Sequence, residues 1–227
     1  MDKYTPIVIL FGPPASGKSM MSNRLILFLR KYNYYMINHI RPLNYHEYEV
    51  VDKYGRTICC ISDLSGQWCF DPSNPMLHQL CLPITNLLSL PNPRTWIFVQ
   101  ELNDIWQDIT IRNAYVGKIH QLSTLLNYKD KVIFVCSKID KHKELLLPNR
   151  RPNDRAILHE LDKQYNGIFA DFENQNPIVR LIKRYNFAFV PFSSGIFSQN
   201  PYGKEIYIPS EEFYPQQLWS SIIQCIK

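Results

Sequence analysis

Glycine is scarce in this chain, at 8 of 227 residues, whereas proline reaches 16. Where two glycines fall close together, the backbone is expected to have a local need for them. No stretch approaches the roughly 18 consecutive apolar residues that a bilayer span requires. The first residues also lack a charged leader with an apolar core and a small-residue cleavage site. Asp2 excludes N-myristoylation, and Cys225 is third rather than fourth from the end, so the prenylation pattern fails. These absences predict a soluble, cytoplasmic protein with no stable membrane anchor. None of the six cysteines, at positions 59, 60, 69, 81, 136 and 225, belongs to a C-x-x-C pair. That argues against a zinc site or a disulfide framework and for a reducing compartment. The formal net charge of +5 is dispersed without a basic arm, so a solvated surface is expected and a nucleic-acid partner is not.

Hydrophobic residues make up 45% of the chain, enough for one domain over 1–227 with a core of its own. Tyr4 to Phe11 (YTPIVILF) is short, apolar and β-branched, which predicts a buried strand. Met20 to Lys31 then places apolar residues at helical spacing. Extended segments at 32–40 and 45–51 are followed by the turn-forming Asp52-Lys53-Tyr54-Gly55 and the strand Thr57 to Ser62, a hairpin pattern. The apolar run Met76 to Leu90 reads as an irregular helix broken at Pro83. Further strands are expected at Trp96–Val99, Val132–Cys136 and Phe187–Phe192, and helices at 104–127, 153–166, 178–183 and 213–226. The stretch 141–176 reads as a polar insertion and 195–210 as a loop. Strands alternating with helices predict an α/β fold: a three-layer, mostly parallel sheet of the P-loop NTPase type with one antiparallel edge strand.

Residues 12–19 read GPPASGKS, a match to G-x-x-x-x-G-K-[ST] between a strand and a helix. Glycine is a small fraction of any composition, so a chance match in this length is on the order of one in a hundred. The chemistry accounts for the residue types. Backbone N–H groups of Gly12, Pro13, Pro14, Ala15, Ser16 and Gly17, prolines excepted, and of Met20 at the helix start can surround phosphate oxygens at the positive end of a helix. Lys18 is placed to reach the β and γ phosphates, and the Ser19 hydroxyl to bind Mg²⁺. After the strand ICCIS comes Asp63-Leu64-Ser65-Gly66-Gln67. A carboxylate at that strand end can hold Mg²⁺, and Gly66 can turn its N–H toward a γ phosphate.

With GPPASGKS at 12–19, DLSGQ at 63–67, SKID at 137–140 and SSG at 193–195, each after a strand candidate, the chain resembles the small, Ras-like GTPases of the P-loop class, as a divergent, bacterial-type member. The resemblance implies that Asp140 accepts hydrogen bonds from guanine, that Lys138 packs along the base, that Ser137, Ser193 and Ser194 complete the base pocket, and that Gln67 orients the attacking water. Lys18 and Gln67 are then the catalytic residues, with Ser19 and Asp63 as metal ligands. It further implies a switch that alternates between GTP and GDP, hydrolyses GTP slowly and contacts a protein effector or activator through the loops near 34–46 and 64–75. The chain departs from that family at several places: no threonine occurs between residues 6 and 56, serine stands at 137, Pro14 stands where glycine is common, and the last loop reads Ser-Ser-Gly. Two other readings follow from the same residues. One is an ATP-dependent small-molecule or nucleotide kinase with a lid at Asn149-Arg150-Arg151-Pro152; the other is a pseudo-GTPase scaffold.

Overall fold

The computed structural model describes residues 5–41, 45–102, 109–149, 151–199 and 205–227. Seven strands form one sheet in the order β2-β3-β4-β1-β5-β6-β7. They are β1 Ile7–Phe11, β2 Tyr35–Arg41, β3 Tyr45–Val51, β4 Thr57–Leu64, β5 Arg94–Glu101, β6 Lys131–Ser137 and β7 Ala188–Pro191. β1 runs parallel to β4 and β5, and β5, β6 and β7 continue in the same direction. β3 is antiparallel to both β2 and β4, which makes the hairpin the antiparallel edge. A second sheet holds β8 Gly195–Gln199 against β9 Glu205–Pro209.

The two-residue period of the strands sorts their apolar side chains onto two faces. Ile7, Ile9 and Phe11 of β1 join Trp96, Phe98 and Phe134 on one face. There they are covered by α3 Leu82–Ser89, α4 Ile109–Leu125 and α5 Asp154–Gln164, through residues such as Ile84, Tyr115 and Leu161. Val8, Leu10, Ile97, Val99, Ile133 and Val135 point the other way. α1 Lys18–Lys31 and α7 Phe213–Ile226 cover that face through Leu25, Phe28, Leu218 and Trp219. The result is the expected three-layer α/β arrangement, built from near-continuous apolar strands because both faces are buried.

Several local expectations differ from the structure. Pro83 does not break a helix. It occupies the first turn of α3, where its missing N–H has no helical partner to lose. The stretch 141–176 is polar on average but is not an excursion. Ile157 and Leu161 enter the core from the apolar face of the amphipathic α5, and Tyr165, Ile168, Phe169 and Phe172 join them from the segment that follows. The loop expected at 195–210 contains the β8–β9 hairpin. The expected helix over 104–127 is observed from Ile109 to Leu125, and 104–108 fall outside the described residues. The segment 34–46 is mostly strand, with 42–44 outside the described residues.

At the sheet end opposite the phosphate loop, Arg94 Nε and Nη2 donate to Asp130 Oδ1 and Oδ2 at 2.8 and 2.9 Å. Nη1 donates to the carbonyls of Leu87 and Leu88. Both side chains are buried, so removing the carboxylate leaves a buried cation without its counter-charge. Asp130→Ala is expected to lower the unfolding free energy by about 3 kcal/mol in urea denaturation. A loss below about 1 kcal/mol, the range of exposed pairs, would contradict this reading.

Candidate functional site

The C-terminal ends of β1, β4, β6 and β7 lie along one edge of the sheet, where open parallel sheets bind ligands. From β1 the chain turns through Gly12–Gly17 into α1. Gly17 adopts φ +88°, the left-handed conformation that favours glycine. Space is not the constraint there, since an added Cβ would approach Ser137 no closer than 3.4 Å. Gly12 is different. A Cβ would lie 2.3 Å from the Val99 carbonyl, so this glycine answers to the neighbouring strand β5 rather than to a phosphate. Gly66 closes against the loop itself, where a Cβ would meet Pro14 N at 2.8 Å and Lys18 Nζ at 2.9 Å.

Pro13 and Pro14 bring no N–H to the loop and the Ser16 N–H donates to the Pro13 carbonyl at 3.3 Å, which leaves the donors to Ala15, Gly17 and the first turn of α1. Lys18 Nζ donates to the carbonyls of Gly12 and Pro13 at 2.6 and 2.8 Å. Burial lowers its pKa to about 8, against an upward pull from Asp63. A bound anion would favour the charged ammonium. Asp63 lies opposite Leu10 of β1 and His46 of β3. Burial raises its carboxyl, while Lys18 and then His46 pull it down.

A cavity of about 730 Å³ gathers Pro14, Ala15, Gly17, Lys18, Ser19, Met20, Asp63, Gly66, Gln67 and Lys138. Ser19 and Asp63 offer it a hydroxyl and a carboxylate, hard oxygen donors that fit Mg²⁺ with water completing the shell. Gln67 is exposed in the short helix α2 Gly66–Cys69, whose N-cap Ser65 accepts from Trp68 N–H. His46 also lines the cavity, and the sequence alone did not mark it. Its place opposite Asp63 depends on an irregularity in the β3–β4 register between Val50 and Val51, because counting back from the turn at 52–55 alone would set His46 against Ser62.

Gly12, Pro13 and Ser16 are buried, and none of them lines that cavity. Ser137 is buried as well, and its hydroxyl donates to Ser16 O at 2.5 Å and Gln100 O at 3.1 Å, so it braces the phosphate loop. Lys138 Nζ donates to Ala15 O at 2.6 Å and pairs with Glu101. The adjoining Ile139 N–H donates to Phe192 O, which ties the end of β6 to the end of β7. Asp140, Ser193 and Ser194 sit on these joined segments, outside the cavity. Asp140 Oδ1 is buried and has no hydrogen-bond partner among the described residues. Folded chains seldom leave a buried acceptor unpaired. Ser193 is buried, and the Ser194 carbonyl accepts from Ser210 N–H and from the Tyr207 hydroxyl of β9. The β8–β9 hairpin thereby holds the Ser-Ser loop.

No family model and no curated protein sequence matches the chain. Among solved structures it is similar to a protein assigned as nucleolar GTP-binding protein 1 from Plasmodium falciparum, with 13% identity, a TM-score of 0.48 and coverage of 100% of this chain and 88% of that one. It is also similar to the cytosolic domain of the T. maritima FeoB iron transporter in its GMPPNP form, with 16% identity and a TM-score of 0.44, covering 99% of this chain and 65% of that one. A third likeness is to the signal recognition particle receptor SRb-GTP/SRX complex of Chaetomium thermophilum, with 14% identity and a TM-score of 0.45, covering 89% and 99% of the two chains. Among the described residues, no helix is long and apolar enough to cross a membrane.

Proposed function

We propose that the chain is a GTP-binding switch that hydrolyses GTP slowly with Mg²⁺ and acts on a protein partner. The observation that carries this reading is the unpaired, buried carboxylate oxygen of Asp140, two residues from a lysine bonded to the phosphate loop. Such an acceptor suits the N1–H and exocyclic amine of guanine. Adenine offers no matching pair of donors.

On this reading, loop N–H groups and Lys18 hold the polyphosphate at the N-terminus of α1, and Gly66 presents its N–H to the γ phosphate. Ser19 and Asp63 would hold Mg²⁺, which when bound neutralises charge on the β and γ phosphates. Gln67, on the exposed α2, orients the attacking water. Turnover is slow because the stretch from 6 to 56 contains no threonine and its second half is the β2–β3 hairpin. Exposed Tyr32, Tyr35 and Trp68 flank these elements and offer the partner an aromatic surface, whereas Phe70 belongs to the core.

The kinase reading draws no support from Arg151. The Arg151 guanidinium sits over the Phe213 ring at 3.9 Å, packed against α7. Arg150 falls outside the described residues. Nucleotide released on denaturing the purified protein is expected to be GDP or GTP; release of ADP or ATP instead would favour the kinase. In single-turnover hydrolysis, Gln67→Ala is expected to be at least about tenfold slower than the native chain. An unchanged rate would remove Gln67 from the water-positioning role and leave the pseudo-GTPase reading.

A further inference from the structure

Cys69 ends α2 and Cys81 caps α3, twelve positions later, yet their sulfur atoms lie 2.8 Å apart. That is closer than two unbonded sulfurs normally rest, and a bond needs less than about 1 Å of further approach. We propose that Cys69 and Cys81 form a redox site that closes reversibly to an intramolecular disulfide.

Three features build the pair. Lys118, buried on α4, donates from Nζ to the Cys69 carbonyl at 2.9 Å and to the Gln79 carbonyl at 2.6 Å. One cation therefore bridges the backbone at Cys69 and at Gln79, two residues before Cys81. Cys81 lines a cavity of about 750 Å³ together with Gln67, Trp68, Cys69, Met76 and Lys118, while Cys69 itself is 4% exposed. A small oxidant reaches Cys81 first. The Cys81 thiol is also the more acidic partner: the hydrogen bond from Cys69, the Ile84 N–H at the start of α3 and the nearby Lys118 charge lower its pKa. Burial pushes the thiols of Cys59, Cys136 and Cys225 up. Among the described residues no third His, Cys, Asp or Glu joins the pair in a metal-binding group.

The oxidant class is a peroxide. The Cys81 thiolate attacks one peroxide oxygen, the O–O bond breaks, and hydroxide leaves and takes up a proton as water. The Cys69 thiol then attacks Sγ of the resulting sulfenic acid. An S–S bond forms, the S–O bond breaks, and hydroxide leaves with the Cys69 proton as a second water. Two electrons pass from the two thiols to the peroxide, and a dithiol reductant reverses the change. The closed bond ties α2 to α3 beside Gln67. Any effect on the nucleotide site rests on the function proposed above, whereas the disulfide does not.

The test uses the full, reduced chain exposed to dilute hydrogen peroxide near neutral pH, then denatured, alkylated and mapped by mass spectrometry. Cleavage before Asp63 and Asp71 separates Cys69, Cys81 and the Cys59-Cys60 pair onto different peptides. The expected product joins the Cys69 and Cys81 peptides, two hydrogens lighter than their sum, and disappears with dithiothreitol. In Cys69→Ser, Cys81 is expected to be trapped by dimedone as the sulfenic acid. Recovery of both cysteines as alkylated thiols while Cys59, Cys60 or Cys136 oxidises would overturn the proposal. So would a Cys69–Cys81 link that forms only after denaturation.

Discussion

Lys18→Ala binds GTP and GDP at least about a hundredfold more weakly than the native chain, and its folding stability is nearly unchanged. The first half follows from position. Lys18 is the one buried cation lining the phosphate cavity among the described residues, and charge-assisted hydrogen bonds of this kind contribute about 1.5–3 kcal/mol each. Two such bonds to phosphate oxygens reach the hundredfold range. The second half follows from its electrostatics. Burial already disfavours its charged form, so truncation removes a desolvation cost along with the bonds to the Gly12 and Pro13 carbonyls. Isothermal titration for affinity and urea denaturation for stability separate the two. Native-like affinity in the variant would remove the phosphate loop from the account.

Asp140→Ala should have the other large effect, and again stability and binding part company. Its buried Oδ1 has no hydrogen-bond partner among the described residues, so the substitution gives up no hydrogen bond there and relieves an unpaired acceptor. The unfolding free energy is therefore expected to hold or rise. Guanine loses two charge-assisted partners, which corresponds to a loss of about a hundredfold or more in GTP affinity. ATP affinity, which never used the carboxylate, stays where it was. A variant that unfolds more easily but keeps its GTP affinity would make Asp140 a structural residue.

Much of this was readable from the residues. The apolar runs at 7–11, 96–99 and 132–136 read as buried strands, and the structure has strands there. GPPASGKS named its own place between β1 and α1. What escaped reading depends on averages or on long-range pairing. The helix expected at 153–166 is α5, but its place in the core was hidden because polar residues dominate the composition of 141–176, although Ile157, Leu161 and Tyr165 keep helical spacing. The strands β8 and β9 are too short and too exposed to stand out from the Pro- and Gly-containing sequence around them. His46 enters the site only through its register opposite Asp63. Cys69 and Cys81 meet beside Lys118, which comes from a helix much later in the chain and bonds to the Cys69 and Gln79 carbonyls.

Base recognition is the claim on which the account turns, because the phosphate loop alone would serve ATP as well. The direct measurement displaces a bound fluorescent GDP analogue from the full chain with GTP or with ATP, in the presence of Mg²⁺. Displacement by GTP at a concentration at least about a hundredfold below that needed for ATP is the predicted result. Equal competition by the two nucleotides would contradict it.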